Sequence, residues 1–513
     1  MPGETTLTFL RRFAGSAASA VLLAGTAAAA LTVDIRAASA QTLEIATDAS
    51  PTGLDPHVAT AFSTQLITNV VYEGLTAIDK DLRVVPALAT EWTVGDEGKT
   101  YTFKLRPNVT FHDGKPMTSA DVAASVKRIT DPKTGSPLAS RFTVIDAVET
   151  PDAGTVVFKL KEPSAPLLSQ LAQLSILPAE PGVDLGRRTV GTGPFKLARW
   201  VPDTYLQLDK HAGYWDQGLP KLASVKFNIV PDATARQTGL SGGTYHLLPV
   251  VDAATAQALA NRPNVKVEQT LDLAYTLVGL NTSKPPFDNA KVREAVNTAI
   301  DRGQIVQAVY FGKAQPAGPV SPALTDWAVP TTEFACYKPD PAKARQLLQE
   351  AGLSAPVKFT MNVIGTVPAA VEAAQVVQAQ LGQAGFQVEL NVQEQGRFIQ
   401  DWRNANFDAF ASLNGGNVDP DDYLYRTFRT GGSTNVFKFS DPQLDSLLDR
   451  ARATSDKGQR QALYRQAQTA LACQGPVAHL AYGQFFTAVR TNVEGYEVTA
   501  TRSTRSLRSV SLK

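Results

Sequence analysis

Leu105-Arg106-Pro107-Asn108-Val109-Thr110-Phe111-His112-Asp113-Gly114 is a strand end that runs into a tight turn. The residues leading into it, Tyr101-Thr102-Phe103-Lys104-Leu105, put apolar side chains on one face with period two. Asp113-Gly114 has the composition of a hairpin turn, because glycine accepts the positive φ that such turns need. Just upstream, Gly98-Lys99-Thr100 looks like the end of a phosphate-binding loop. That loop needs a glycine five positions earlier, where Thr93 stands. It reads as a turn before a strand.

Outward from this stretch the same alternation recurs in Val156–Leu160, Val225–Ile229 and Phe386–Leu390. Helices are interleaved with these strands. Asp340-Pro341 and Asp441-Pro442 each place a capping carboxylate before a proline at the first helical position. Gly352 closes the first of these helices. Val292, Ala295, Val296, Ala299 and Ile300 make one apolar stripe, with Asp288 as the expected cap. The fold class is α/β, with breaks at Asn281–Phe287 and over 316–341.

At 513 residues the chain holds about three domains' worth of sequence. With 49 basic and 48 acidic residues and no Lys/Arg run, it has no nucleic-acid footprint. Five histidines are scattered without metal-ligand spacing, so no metal and no cofactor is expected.

Arg11-Arg12 is followed by an uncharged stretch, Ala14–Val33, and then by Ala38-Ser39-Ala40. This is the order of a secretory signal cleaved after Ala40, with Gln41 as the first mature residue. The apolar stretch is long enough to cross a bilayer, but its Ala, Gly, Thr and Ser content is weakly apolar, which favours cleavage. The arginine pair matches a twin-arginine signal only loosely, so the export route stays open.

No catalytic constellation emerges. A G-x-S-x-G elbow is missing. Asp419-Pro420-Asp421-Asp422 lacks the ladder of a calcium loop, and Gly191-Thr192-Gly193-Pro194 loses a donor at Pro194.

The motifs that fail as catalysis form one set. They are Gly53-Leu54-Asp55-Pro56-His57, Val71-Tyr72-Glu73-Gly74-Leu75, Pro86–Trp92, Leu105–Gly114, Val190-Gly191-Thr192-Gly193-Pro194-Phe195, Tyr214-Trp215, Leu280-Asn281-Thr282, Pro286-Phe287-Asp288 and Val292–Ala295. In order and spacing the chain resembles the family 5 extracellular solute-binding proteins of ABC importers, over residues 43–500. The resemblance implies a two-lobed periplasmic-binding-protein fold with a hinge and an extra N-terminal sub-lobe. The expected division is 41–82 with 190–279 and 485–513 for lobe I, 83–189 for the sub-lobe and 280–484 for lobe II. Leu277–Thr282 would be a hinge strand. The implied function is capture of a peptide or peptide-like solute between the lobes and its delivery to a permease and ATPase in the inner membrane. The chain would act as a periplasmic monomer without enzymatic activity. A non-peptide solute such as an opine, glycoside or metal chelate is the alternative. A secreted hydrolase is the rival from another class, and it would need the nucleophile–base set that is missing.

The resemblance also points to the loop Ser412–Asp421 as cleft-facing. Dipeptide binders carry a carboxylate three residues before the first Asp of D-P-D, where this chain has Gly416. They carry an arginine after the strand matching Phe359–Val363, where it has Ile364-Gly365-Thr366. Unmodified dipeptides should therefore bind weakly and a larger or less charged amide-bearing solute more tightly, and a bulky side chain at 416 should block that solute without unfolding the protein. The expected ligand residues are Asn414, Gly415, Gly416, Asn417 and Asp419, with Asp48, Ser50, Phe62 and Gln395. Cys336 and Cys473, both in the expected second lobe of an exported chain, are expected to pair, against the alternative of two buried thiols.

Overall fold

A computed structural model describes residues 41–513; the expected signal segment and the expected cleavage after Ala40 lie outside the described residues. Seven elements carry the argument. They are strand β1 (Thr42–Thr47), helix α1 (Phe62–Val71), strands β2 (Val265–Leu271), β3 (Tyr275–Leu280) and β4 (Ala409–Asn414), helix α2 (Pro420–Phe428) and strand β5 (Val477–Arg490).

One twelve-stranded sheet runs through the molecule in two parts. In the first, β1 lies parallel to Ser224–Ile229, which continues antiparallel to Tyr205–Lys210 and Phe195–Val201. In the second, Val357–Ile364 lies parallel to both Phe386–Gln393 and β4, and β4 pairs antiparallel with β3. Parallel strands buried on both faces suit a sheet covered by helices.

The two parts are joined by chain that belongs to both. Strand β5 pairs with β3 through Val477–Ala481 and with β2 through Gln484–Arg490. The second connection is the step from β2 to β3 across Asp272–Ala274. Asp272 N–H donates to Gly483 C=O at 2.8 Å, so the two crossings are hydrogen-bonded to each other. A Cβ on Gly483 would come within 2.8 Å of the Tyr310 ring, which explains glycine at that point. The expected hinge strand Leu277–Thr282 begins later than this step. Leu277–Leu280 lies within β3 with neighbours on both sides, and the step between the two parts of the sheet falls at Asp272–Ala274.

A separate four-stranded antiparallel sheet is built from Ala89–Gly95, Thr100–Leu105, Thr155–Leu160 and Ile145–Asp152. It closes its own core around Phe103, Phe158, Val122, Leu171 and Ile176. The alternating strands and the proline-started helices form where their patterns put them. Asp340 and Asp441 cap helices Pro341–Glu350 and Pro442–Ala453 through the backbone N–H groups of Lys343 and Gln443. The cap of helix Ala290–Ala299 is Asn289, not Asp288: the Asn289 Oδ1 accepts from Lys291 N–H at 2.9 Å. Among the described residues no helix is long and apolar enough to cross a membrane.

Candidate functional site

The motif blocks meet in space. The turn at His112 donates its backbone N–H to Gly191 C=O at 2.9 Å, and its ring contacts Gly191 N–H and Gly193 C=O. Gly191 and Gly193 pass over the end of α1 so closely that a Cβ on either would lie 2.1 Å or 2.5 Å from a carbonyl oxygen of Val71 or Val70. Just beyond α1, the buried Glu73 carboxylate accepts from Tyr214 Oη at 2.9 Å, Trp215 Nε1 at 2.8 Å and Thr192 Oγ1 at 3.2 Å. Arg505 stands 3.6 Å away. Burial lowers the Arg505 guanidinium, and the Glu73 charge opposes that. Three of the sequence blocks are therefore joined by one hydrogen-bonded acid.

Glu73 and Arg505 also line a cavity of about 410 Å³, within the ~300–1,000 Å³ range of small-ligand sites. One wall is α1 with Phe62 and the Arg141–Gln173 pair. The opposite wall is Gly415-Gly416-Asn417, and between them lie Asp272–Ala274 of the crossing and the tail segment Ala500–Arg505. The cavity thus sits where the two parts of the sheet are joined.

Its charges are uneven. Arg141, Arg502 and Arg505 face Glu73 and Asp272. Arg502 pairs with Asp272, and its guanidinium lies over the rings of Phe485 at 4.7 Å and Phe62 at 5.4 Å. Arg502 holds a φ of 56°, a left-handed conformation that is strained for a long side chain. With Arg505 set against Glu73, only Arg141 lacks an acidic partner among the described residues of this lining. The site carries one uncompensated positive charge.

The expected ligand residues divide. Phe62, Gly415, Gly416 and Asn417 line the cavity; Asp48, Ser50, Gln395, Asn414 and Asp419 do not. Asp48 and Gln395 are solvent-exposed. Ser50 Oγ accepts from Asp203 N–H at 2.9 Å. Asn414 Nδ2 donates to Tyr275 Oη at 3.1 Å, inside the second part of the molecule. Asp419 is committed elsewhere: both its oxygens take the Arg460 guanidinium, at 2.6 and 2.8 Å, and one also caps α2. Among the described residues no three His, Cys, Asp or Glu groups cluster as metal ligands would.

Gly416 turns out to face inward. A Cβ there would lie 1.8 Å from the ring of Tyr423, which is itself buried, stacked near Tyr275 and bonded through its hydroxyl to Leu273 C=O at 2.9 Å. A side chain at 416 therefore displaces Tyr423 before it can fill the cavity, contrary to the expectation of a clean block. Gly416→Ala should lower the unfolding free energy by about 1–3 kcal/mol, as overpacking does. Comparison of urea unfolding midpoints checks this, and an unchanged midpoint would refute the packing argument.

Arg141, Asp272, Arg502 and Arg505 carry no sequence signal. Glu73 does: it stands in the Val71–Leu75 block.

Residues 83–435 match the bacterial extracellular solute-binding proteins, family 5 Middle. The chain is 28% identical over 470 residues to the glutathione-binding protein GsiB of Pectobacterium atrosepticum, covering 88% of this chain and 91% of that one. It superposes with a TM-score of 0.76 and 27% identity on DppA, an ABC transporter-associated periplasmic binding protein of Helicobacter pylori in complex with the peptide STSA, covering 92% of this chain and 98% of that one. It also superposes on the binding protein AgaA of A. tumefaciens R10 in complex with agropinic acid, with a TM-score of 0.75, 26% identity and coverage of 92% and 99%.

Proposed function

We propose, on the premise that this chain belongs to the bacterial extracellular solute-binding proteins of family 5, that its solute is a small anionic peptide of the glutathione class. The chain is the substrate-binding component of an ABC transporter, and its fold is that of the two-lobed periplasmic binding proteins. Delivery of a captured solute to a permease and its ATPase follows from that membership. The finer steps are ours: export with cleavage after Ala40, work as a monomer, and closure of the lobes about Asp272–Ala274 and Gly483. In this reading lobe I and lobe II meet at that crossing, with 83–189 as the sub-lobe.

The observation that carries the solute class is the unpaired Arg141 in a lining of three arginines and two acids. A guanidinium that closure would desolvate without a counter-ion is unfavourable, and a solute carboxylate completes it with a forked, charge-assisted pair. Likeness to a glutathione-binding protein over 88% of this chain points the same way, because glutathione carries two carboxylates and one ammonium. Closure removes water from the cavity and strengthens each of these contacts. A second reading, an acidic opine, rests on the same arginines and on the likeness to AgaA.

Calorimetric titration of the mature chain decides between them. Glutathione should bind at micromolar or lower concentration, with ordinary dipeptides weaker because no carboxylate stands at 416 and no arginine at 364–366. Tight binding of agropinic acid with no heat from glutathione would establish the opine reading instead. Submicromolar binding of several ordinary dipeptides would overturn both.

A further inference from the structure

Helix α1 presents two different faces. Leu66, Ile67, Val70 and Val71 are buried in the core on one side. Phe62, Gln65, Asn69 and Tyr72 follow one another at helical spacing on the other, and all four line the cavity. Two of these are engaged within the protein. The Phe62 ring lies under the Arg502 guanidinium, and Gln65 Nε2 donates to Thr60 C=O at 3.1 Å. Asn69 differs from both. It is half-buried on the cavity wall, and neither amide atom of its side chain has a hydrogen-bond partner among the described residues.

Asparagine is also a poor choice here on helical grounds. It favours caps and turns, whereas alanine or leucine serves a helix body better. Asn69 does not close the helix, because Tyr72 N–H does so on Thr68 C=O at 2.9 Å. Nor does it belong to the buried face. A polar side chain that weakens the helix and gains no contact within the protein breaks a local rule without a structural return, as residues at functional sites do. Its setting supplies the reason. The loop Gly415-Gly416-Asn417 forms the opposite wall, so a solute in the cavity lies between that loop and the Asn69 amide. One carboxamide sets an acceptor and a donor side by side. An extended peptide presents the N–H and the C=O of one residue on the same side, which is the matching pair.

We propose that Asn69 reads the backbone of the solute's central residue, its Oδ1 accepting that residue's N–H and its Nδ2 donating to that residue's C=O. This rests on the reading of the solute as a small anionic peptide of the glutathione class. In glutathione the central residue is cysteine, whose N–H belongs to the γ-linked amide and whose C=O belongs to the amide with glycine. The arginines of the cavity select for charge, and Asn69 selects for a peptide residue between the charges. Closure removes water from the cavity, so a solute without that N–H leaves the Asn69 oxygen desolvated and unpaired.

The experiment is calorimetric titration of the mature full-length chain with glutathione and with its depsipeptide, in which an ester oxygen replaces the cysteine N–H. Asn69→Ala should bind glutathione about ten-fold more weakly than wild type does. Wild type should bind the depsipeptide about ten-fold more weakly than glutathione, while Asn69→Ala should bind the two alike, because the partner of the missing N–H is already gone. The urea unfolding midpoint of Asn69→Ala should equal that of wild type or exceed it, since alanine is the better helix former. A lowered midpoint would show a structural role and overturn the assignment. Equal glutathione affinity in Asn69→Ala and wild type, or the same loss from the ester in both, overturns it as well and leaves the glutathione reading in place. Failure of wild type to bind glutathione at all overturns that reading, and the assignment falls with it.

Discussion

Asp419→Ala should lower the unfolding free energy by about 3–5 kcal/mol while leaving solute affinity within about two-fold. The carboxylate and the Arg460 guanidinium are both buried, with side-chain exposures of 10% and 7%, and are bonded through two nitrogens. Arg460 also lies against the rings of Trp327 and Tyr464 and donates to Ala451 C=O, so it cannot swing out to water. Deleting the acid leaves that cation buried without a counter-charge, and it also removes the cap from α2. Asp419→Asn should fall between, since it keeps the capping oxygen and loses the charge. Adding Arg460→Met to Asp419→Ala should recover part of the loss, because the stranded charge is then gone. Thermal melts with parallel titrations separate the two roles. If Asp419→Ala melted like wild type but no longer bound solute, Asp419 would be a ligand contact after all.

The second large effect concerns Cys336 and Cys473, which are joined in the structure with their Cα atoms 5.7 Å apart. Cys336 sits in the turn Ala335–Tyr337, and Cys473 in the last turn of helix Lys457–Gln474. The link closes a separation of 137 residues. On the chain-entropy model, opening such a loop costs up to about 5 kcal/mol, because the unfolded chain regains the freedom the link removed. The double variant Cys336→Ser with Cys473→Ser should lower the unfolding midpoint accordingly, and reduction of wild type should do the same. Thiol counting on unreduced, denatured protein is the direct check. Two reactive thiols per chain would show that no link exists in the exported protein.

Much of the fold could be read from short stretches. Period-two alternation placed Thr100–Leu105, Thr155–Leu160, Ser224–Ile229 and Phe386–Gln393, because a strand's pattern lies within five or six consecutive residues. Asp-Pro pairs placed two helix starts, since a cap acts on backbone N–H groups two or three residues away. The same reasoning chose Asp288 where Asn289 serves, as two neighbouring capping residues look alike until the backbone turns. The motif blocks around Glu73, His112 and Gly191 carried the family, because close backbone packing restricts the residue types at each of those points.

The site was legible only in part. Loop 415–417 lines the cavity, but the charges that define it come from Glu73, Arg141, Asp272, Arg502 and Arg505, spread over the length of the chain. No local pattern marks an arginine that will lie beside a cavity. Asp419 shows both: its Asp-Pro context fitted the helix cap it provides, and a guanidinium 41 residues away, which no local pattern marks, binds the same carboxylate. The sequence by itself determined the strands, the capped helices and the family. Only the tertiary structure decided which charges meet, because periodicity and caps act over a few residues, whereas the partner of a buried ion is set by how distant elements pack.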